Sequence, residues 1–192
     1  SVPGGVAQAV AIAGHTQPRE AIAALPLSSL VLHGDEDATV PFIWGEELAR
    51  TLPPQLKATF ISGSIPVILE YMHHPNIEVI LIGDKISKNS KITVGSEAIA
   101  KIKQIKPDLC FLGTNAIDAE HGITDNDWEV VQLKKAMIES SKKVVCLSIA
   151  EKINSVQPIK VCGLDEIDLL ITELPVTDPV LKPYLDAGVK VA

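Results

Sequence analysis

Short apolar runs alternate with helical patterns along most of this sequence, and that alternation restricts the fold more than any other feature. Runs at 29–33, 58–61, 78–82, 108–112, 143–148 and 169–172 are mostly apolar, and most of them are rich in Val, Ile and Leu. Such runs read as buried strands. Between them lie segments with helical spacing at 42–52, 66–72, 95–103, 128–140 and 178–187. Alternating strands and helices imply right-handed βαβ units around a mostly parallel sheet. The expected fold is therefore α/β, a three-layer sandwich with a Rossmann-like sheet. Aromatic residues make up 4% of the chain, so its core must be aliphatic, as parallel sheets covered by helices require. At 192 residues the chain is read as a single α/β domain over 1–192.

Other segments complete the pattern. Ala-rich residues 6–13 and residues 19–25, which follow Pro18, read as short helices. Residues 85–92 read as a polar loop or an edge hairpin. Gly188 reads as a helix C-cap before a final strand at 189–192.

Charge and cysteine usage exclude several functions. A formal net charge of −7 opposes a nucleic-acid-binding surface. Cys110, Cys146 and Cys162 sit in or beside apolar runs without metal-ligand spacing, and read as reduced core residues of a cytoplasmic protein. His73-His74-Pro75 reads as a helix end rather than a metal site, since no third ligand lies at useful spacing. No metal or cofactor is expected. No apolar run reaches membrane-spanning length. Ser1-Val-Pro-Gly-Gly has neither the charged start nor the apolar stretch of a signal peptide, and looks like a cut end.

The chemistry concentrates in one stretch. After the run 108–112 come Gly113, Thr114, Asn115 and Asp118, then Gly122, with Asp125 or Asn126 placed to cap the helix 128–140. Open α/β sheets bind ligands at the carboxyl ends of their strands, where loops and helix N-termini meet. The same residues also suit an ordinary βα loop, with Gly for turning and Asn or Asp for local hydrogen bonds. Spacing alone leaves both readings open.

Two resemblances sharpen this picture. Ser29-Leu-Val-Leu-His-Gly-Asp-Glu-Asp-Ala-Thr-Val-Pro41 and Gly45-Glu-Glu-Leu-Ala-Arg-Thr-Leu-Pro53 resemble the acid-loop segment of α/β-hydrolases, over about residues 6–55. That resemblance would make Asp37 the triad acid. No Gly-x-Ser-x-Gly elbow is present, and Ser62-Gly-Ser-Ile-Pro66 stands where the catalytic His would follow. A triad with one member has neither nucleophile nor base, so no enzyme activity is expected and Asp37 reads as a loop or capping residue.

From residue 57 onward the sequence resembles the C-terminal effector-sensing domain of DeoR-type transcription regulators. The resemblance rests on Thr59-Phe-Ile-Ser-Gly-Ser-Ile65, Pro75-Asn-Ile-Glu-Val-Ile-Leu-Ile-Gly83, Val94-Gly-Ser-Glu-Ala98 and Asp108-Leu-Cys-Phe-Leu-Gly-Thr-Asn-Ala-Ile-Asp118. It continues through His121-Gly-Ile-Thr124, Leu133-Lys-Lys-Ala-Met-Ile138, Lys152 and Asp165-Glu-Ile-Asp168. It implies the structural class of ribose-5-phosphate isomerase, a non-enzymatic role, and binding of a phosphorylated sugar or related metabolite. It also implies ligand contacts from Ser62, Gly63, Ser64, Gly83, Gly113, Thr114, Asn115, Asp118, Lys134 and Lys152. Self-association into a homo-oligomer is a further family expectation. For Lys134 and Lys152 the plain alternative is solvated surface charge.

The sequence departs from the family pattern at three places. Gly34-Asp-Glu-Asp-Ala-Thr-Val-Pro41 stands in place of an Asp-x-Gly-Thr-Thr phosphate loop, and puts three carboxylates where amides should meet an anion. Ile149 stands where an Asp is common. The helix-turn-helix of such regulators is not in this sequence, so no DNA contact is expected from this chain. The switch of resemblance near Pro54-Gln55 suggests a chimera, with 1–55 a hydrolase-like segment joined to 56–192. On that alternative the chain is an engineered scaffold without native function. Hydrolase activity is the lesser alternative.

Overall fold

The computed structural model describes residues 29–33, 56–88 and 92–192. The expected helices at 6–13, 19–25 and 42–52, the acidic loop and Asp37 lie outside the described residues.

The main sheet has six parallel strands, and the expected apolar runs form them. They are β1 (Ser29–His33), β2 (Ala58–Ser62), β3 (Ile77–Leu81), β6 (Leu109–Gly113), β9 (Val144–Leu147) and β11 (Leu169–Ile171). Their order is β11-β9-β6-β1-β2-β3, so the chain runs one way from β1 to β3 and the other way from β6 to β11. β1 pairs with both β2 and β6, with Leu30 opposite Phe60 on one side and Leu109 on the other. The order therefore reverses between β1 and β6, the kind of crossing where open α/β sheets form a crevice.

Side chains alternate across this sheet as a pleat requires. Ala58, Phe60, Leu109, Phe111, Val145 and Ile171 pack on one face. Ile61, Cys110, Leu112, Val144, Cys146 and Leu170 pack on the other. Helix α1 (Ile65–Tyr71) covers the first face, and its Tyr71 meets Phe60 edge-on at 4.5 Å between ring centroids. Helices α2 (Ser96–Lys103) and α3 (Trp128–Ser140) cover the second face. Burial of both faces explains why the strands read as nearly continuous apolar runs.

Two smaller sheets complete the fold. β4 (Lys85–Ile86) and β5 (Thr93–Val94) form the edge hairpin allowed for 85–92. β7 (Ala116–Asp118), β8 (Gly122–Asp125) and β10 (Ile159–Cys162) form an antiparallel sheet. This second sheet corrects the reading of 113–124 as a plain polar loop. It forms because Ile117, Ile123, Ile159 and Val161 join the core beside α3. Helix α3 thus packs against both β6 and the small sheet. Gly122, at φ 77°, closes the β7–β8 turn, and a Cβ there would run into the Cys162 carbonyl oxygen.

Helix α3 is capped by Asp127, not by Asp125 or Asn126. Its carboxylate accepts from the backbone N–H groups of Glu129 (2.8 Å) and Val130 (3.3 Å). Gly95, at φ 116°, starts α2, and Asp84 caps that helix from a distance by accepting from Glu97 N–H at 3.0 Å. The helix expected over 178–187 begins as a 3-10 turn (Pro179–Leu181) and continues as α4 (Lys182–Asp186), with Ala187 as its C-cap and Gly188, at φ 88°, just beyond. Beyond it Val191 bridges Leu170 in parallel, the start of the strand expected at 189–192.

Cys110, Cys146 and Cys162 are buried free thiols in the core, and burial pushes Cys110 and Cys162 up to about 12. No helix among the described residues is long and apolar enough to cross a membrane.

Candidate functional site

Most of the candidate residues converge on the carboxyl edge of the parallel sheet because each closes or follows a strand. Ser62 closes β2 and Gly63 and Ser64 follow it, Gly83 follows β3, Gly113 closes β6 and Thr114 and Asn115 follow it, and Lys152 follows β9. Parallel strands present these loops on one side. The crossing between β1 and β6 lies among them.

Local structure accounts for several of these residues. Ser62 and Ser64 are buried, and Ser62 Oγ accepts from Ser64 N–H at 3.0 Å, which tightens the turn into α1. Gly63 is required sterically, since a Cβ would stand 2.6 Å from Thr93 Oγ1. Thr93 in turn donates its hydroxyl to the Ile82 carbonyl, tying β5 to the end of β3. Thr114 is buried and gives both its backbone N–H (3.2 Å) and its hydroxyl (3.1 Å) to the Leu147 carbonyl, which locks β6 to β9. Gly83 is different. Its φ is not in the left-handed region, and a Cβ there would meet no atom within 4 Å. The fold does not itself need glycine at 83, and the space above it is open.

The loop after β6 holds a buried charge network. Asp125 Oδ2 accepts from Lys134 Nζ at 2.7 Å, with the side chains 2% and 0% exposed. Asp125 Oδ1 accepts from the backbone N–H groups of Asn126 (2.7 Å) and Asp127 (3.4 Å) and from Asn115 Nδ2 (3.3 Å). Burial opposes ionisation of Asp125, but the Lys134 charge and these donors outweigh it and hold the carboxyl below its usual range. Lys134 is thus neither solvated surface charge nor an exposed ligand contact. It lies on a flank of α3 that the small sheet covers, and its ammonium holds Asp125.

Asp118 is engaged locally. Its Oδ1 accepts from the backbone N–H groups of Glu120 and His121, both at 2.9 Å, and meets His121 Nδ1 at 2.7 Å. The His121 ring holds this carboxyl below its usual range, and the two backbone bonds add to the effect. The hairpin is also pinned from behind. Tyr184 Oη donates to the Ile117 carbonyl at 3.0 Å and accepts from Asn154 N–H at 3.1 Å.

Lys152 is half-buried in the helical turn Ala150–Lys152. Glu173, at the end of β11, braces that turn by accepting from Ala150 N–H at 2.7 Å. Sequence reasoning does not pick out Asp84, Asp125, Asp127 or Glu173 for the site. Asp125 closes β8, Asp127 and Glu173 each stand two positions beyond a strand, and Asp84 stands three beyond β3, so only the tertiary partner shows what each holds. Among the described residues no group of three or more His, Cys, Asp or Glu could hold a metal ion.

Comparison with known proteins fixes the family. The model of the DeoR C-terminal sensor domain matches residues 45–174. The chain belongs to the DeoR sensor-domain family. It is 30% identical over 144 residues to the HTH-type transcriptional regulator GolR of Listeria innocua, covering 75% of this chain and 57% of that protein. It is 32% identical over 127 residues to the HTH-type transcriptional regulator GlpR of Haloferax volcanii, covering 66% and 49%. The HTH-type transcriptional repressor GlcR of Bacillus subtilis is 34% identical over 115 residues, covering 60% and 44%. The chain spans about half the length of these relatives, all of which are named as transcriptional regulators.

The DeoR match begins at Gly45, inside the segment read as hydrolase-like, and crosses the boundary drawn at residue 55. Neither the hydrolase resemblance nor the chimera finds support in these comparisons.

Proposed function

We propose that this chain is the effector-sensing part of a DeoR-type transcription regulator and binds a phosphorylated sugar or related metabolite, without catalysing a reaction. The observation that carries this reading is the strand order. It reverses between β1 and β6, and the loops bearing Ser62 to Ser64, Gly83, Gly113 to Asn115 and Lys152 all leave the sheet on that side. Open space above Gly83 supports close approach of a ligand to the backbone. Lys152 supplies positive charge for an anionic group. Lys134 and Asp118 belong to the site as supports, Lys134 through Asp125 and Asp118 through the β7–β8 turn.

On this reading residues 1–192 form one Rossmann-like, three-layer domain. The segment before residue 56 completes the sheet through β1. The net charge of −7 fits a sensor region that makes no contact with DNA itself.

Thermal unfolding with free phosphate and a panel of sugar phosphates tests the proposal. Binding to the native state raises the midpoint by mass action. The expected result is a rise with at least one sugar phosphate that is lost in Lys152→Ala. A chain that unfolds cooperatively, yet shifts with no member of the panel, would overturn the reading.

A further inference from the structure

Asn115 stands two residues beyond β6, at the crossing of the sheet, and its amide is not free to turn. Nδ2 donates to Asp125 Oδ1 at 3.3 Å and to Asn126 Oδ1 at 3.2 Å, so both of its hydrogens are used. The reversed amide would set Asn115 Oδ1 against a carboxylate, which accepts only. The hydrogen-bond network therefore assigns the orientation. It stays assigned while Asp125 remains a carboxylate, and the 2.7 Å contact from buried Lys134 keeps it one.

The outcome is a carbonyl oxygen, Asn115 Oδ1, that receives no hydrogen bond from the described residues. A carbonyl pairs with a hydroxyl donor and repels the anionic oxygens of a phosphate. We infer that Asp125, paired with Lys134, holds Asn115 with its carbonyl toward the crevice as a hydroxyl-reading subsite, which makes the site select a polyol or sugar phosphate over inorganic phosphate. The inference rests on the ligand reading given above. Asp125 and Lys134 act as positioning residues, and Asn115 alone would touch the ligand.

Asp125→Asn is the informative variant. An amide at 125 has one acceptor oxygen, for which Lys134 competes with the backbone N–H groups of Asn126 and Asp127. Asn115 then loses the carboxylate that fixes its amide, and its carbonyl is no longer held toward the crevice. Titration calorimetry with glycerol 3-phosphate, ribose 5-phosphate, glucose 6-phosphate and inorganic phosphate reads the selectivity. The preference of wild type for its best sugar or polyol phosphate over inorganic phosphate should fall by about twofold to tenfold, the worth of one neutral hydrogen bond. Inorganic phosphate should bind the variant as it binds wild type. Asn115→Ala, which leaves the Asp125–Lys134 pair intact, should cause the same fall and serves if Asp125→Asn does not fold.

The side-chain amide resonances of Asn115 give a readout that needs no ligand. They are assigned by their loss in Asn115→Ala. In the free protein they should move in Asp125→Asn. Unmoved resonances would overturn the positioning role. Moved resonances with unchanged selectivity would overturn the hydroxyl-reading subsite. Wild type that binds no member of the panel would overturn the ligand reading and the subsite with it, while the resonances still decide whether Asp125 holds Asn115.

Discussion

Replacing Lys134 with Met should be among the most damaging single changes in this protein, and the damage should depend on pH. Lys134 is fully buried and its ammonium stands 2.7 Å from Asp125, itself 2% exposed. Met keeps most of the packing volume and removes the charge, which leaves a buried carboxylate without its cation. Breaking such a pair costs about 3–5 kcal/mol. A domain of this size loses roughly 2–4 °C of melting temperature per kcal/mol, so a drop of about 6–20 °C is expected at neutral pH.

The pH arm follows from linkage. In wild type the folded-state pKa of Asp125 is depressed, so its contribution is present above the unfolded value near 3.9 and is lost as pH falls through the folded value. Without Lys134, burial dominates and raises the folded pKa above the unfolded one. The variant then gains from protonation as pH falls, and the gap to wild type narrows from neutral pH to a pH just above that unfolded value. Urea unfolding of both proteins at those two pH values measures this directly. The double variant Asp125→Asn with Lys134→Met should recover much of the loss, because no buried charge remains. A single variant destabilised by under about 1 kcal/mol, or by the same amount at both pH values, would refute the buried-pair argument.

Two glycines give a contrast of opposite sign. Gly122→Ala should cost about 1–3 kcal/mol in chemical denaturation, since φ is 77° and the new Cβ meets the backbone of Cys162 and Gly163. A Gly122→Ala variant as stable as wild type would mean that the β7–β8 turn is not built as described. Gly83→Ala should leave stability within about 0.5 kcal/mol, since the added Cβ meets no atom within 4 Å. The same change should reduce the midpoint rise given by sugar phosphates, and an undiminished rise would remove Gly83 from the site.

What is legible in the sequence follows from how much each segment decides by itself. Strands β2, β6, β9 and β11 carry apolar runs buried on both faces, and edge strand β3 carries an apolar run although its Ile80 and Leu81 are exposed, so the pattern survives any arrangement of neighbours. Helix α3 shows both its limits and its apolar spacing. The second sheet is hidden. β10 is a short strand with exposed Lys160 in its middle, and β7 and β8 are embedded among turn residues that suit a loop equally well. Lys134 misleads for a related reason. Helical spacing marks one apolar face, but α3 is covered on a second side by β8 and β10, so a flank that reads as solvent is interior. The cap at Asp127 escapes by a residue or two because Asp125, Asn126 and Asp127 are all good capping types, and only the β8 register decides among them.

On the ligand binding proposed above, the site edge divides chemically along the sheet. On the inference drawn above, Asn115 after β6 presents an acceptor. β1 and β6 are neighbours at the crossing. Acceptors suit hydroxyl donors and oppose phosphate, so the proposal puts the sugar end of a ligand at this crossing. Lys152 follows β9, the neighbour of β6 on the side away from β1. Adjacent strands lie about 4.8 Å apart, so the distance from the β1–β6 crossing to the loop after β9 is on the order of a sugar phosphate's length. A ligand laid across the strands with its anion toward Lys152 meets donors and acceptors in the right order.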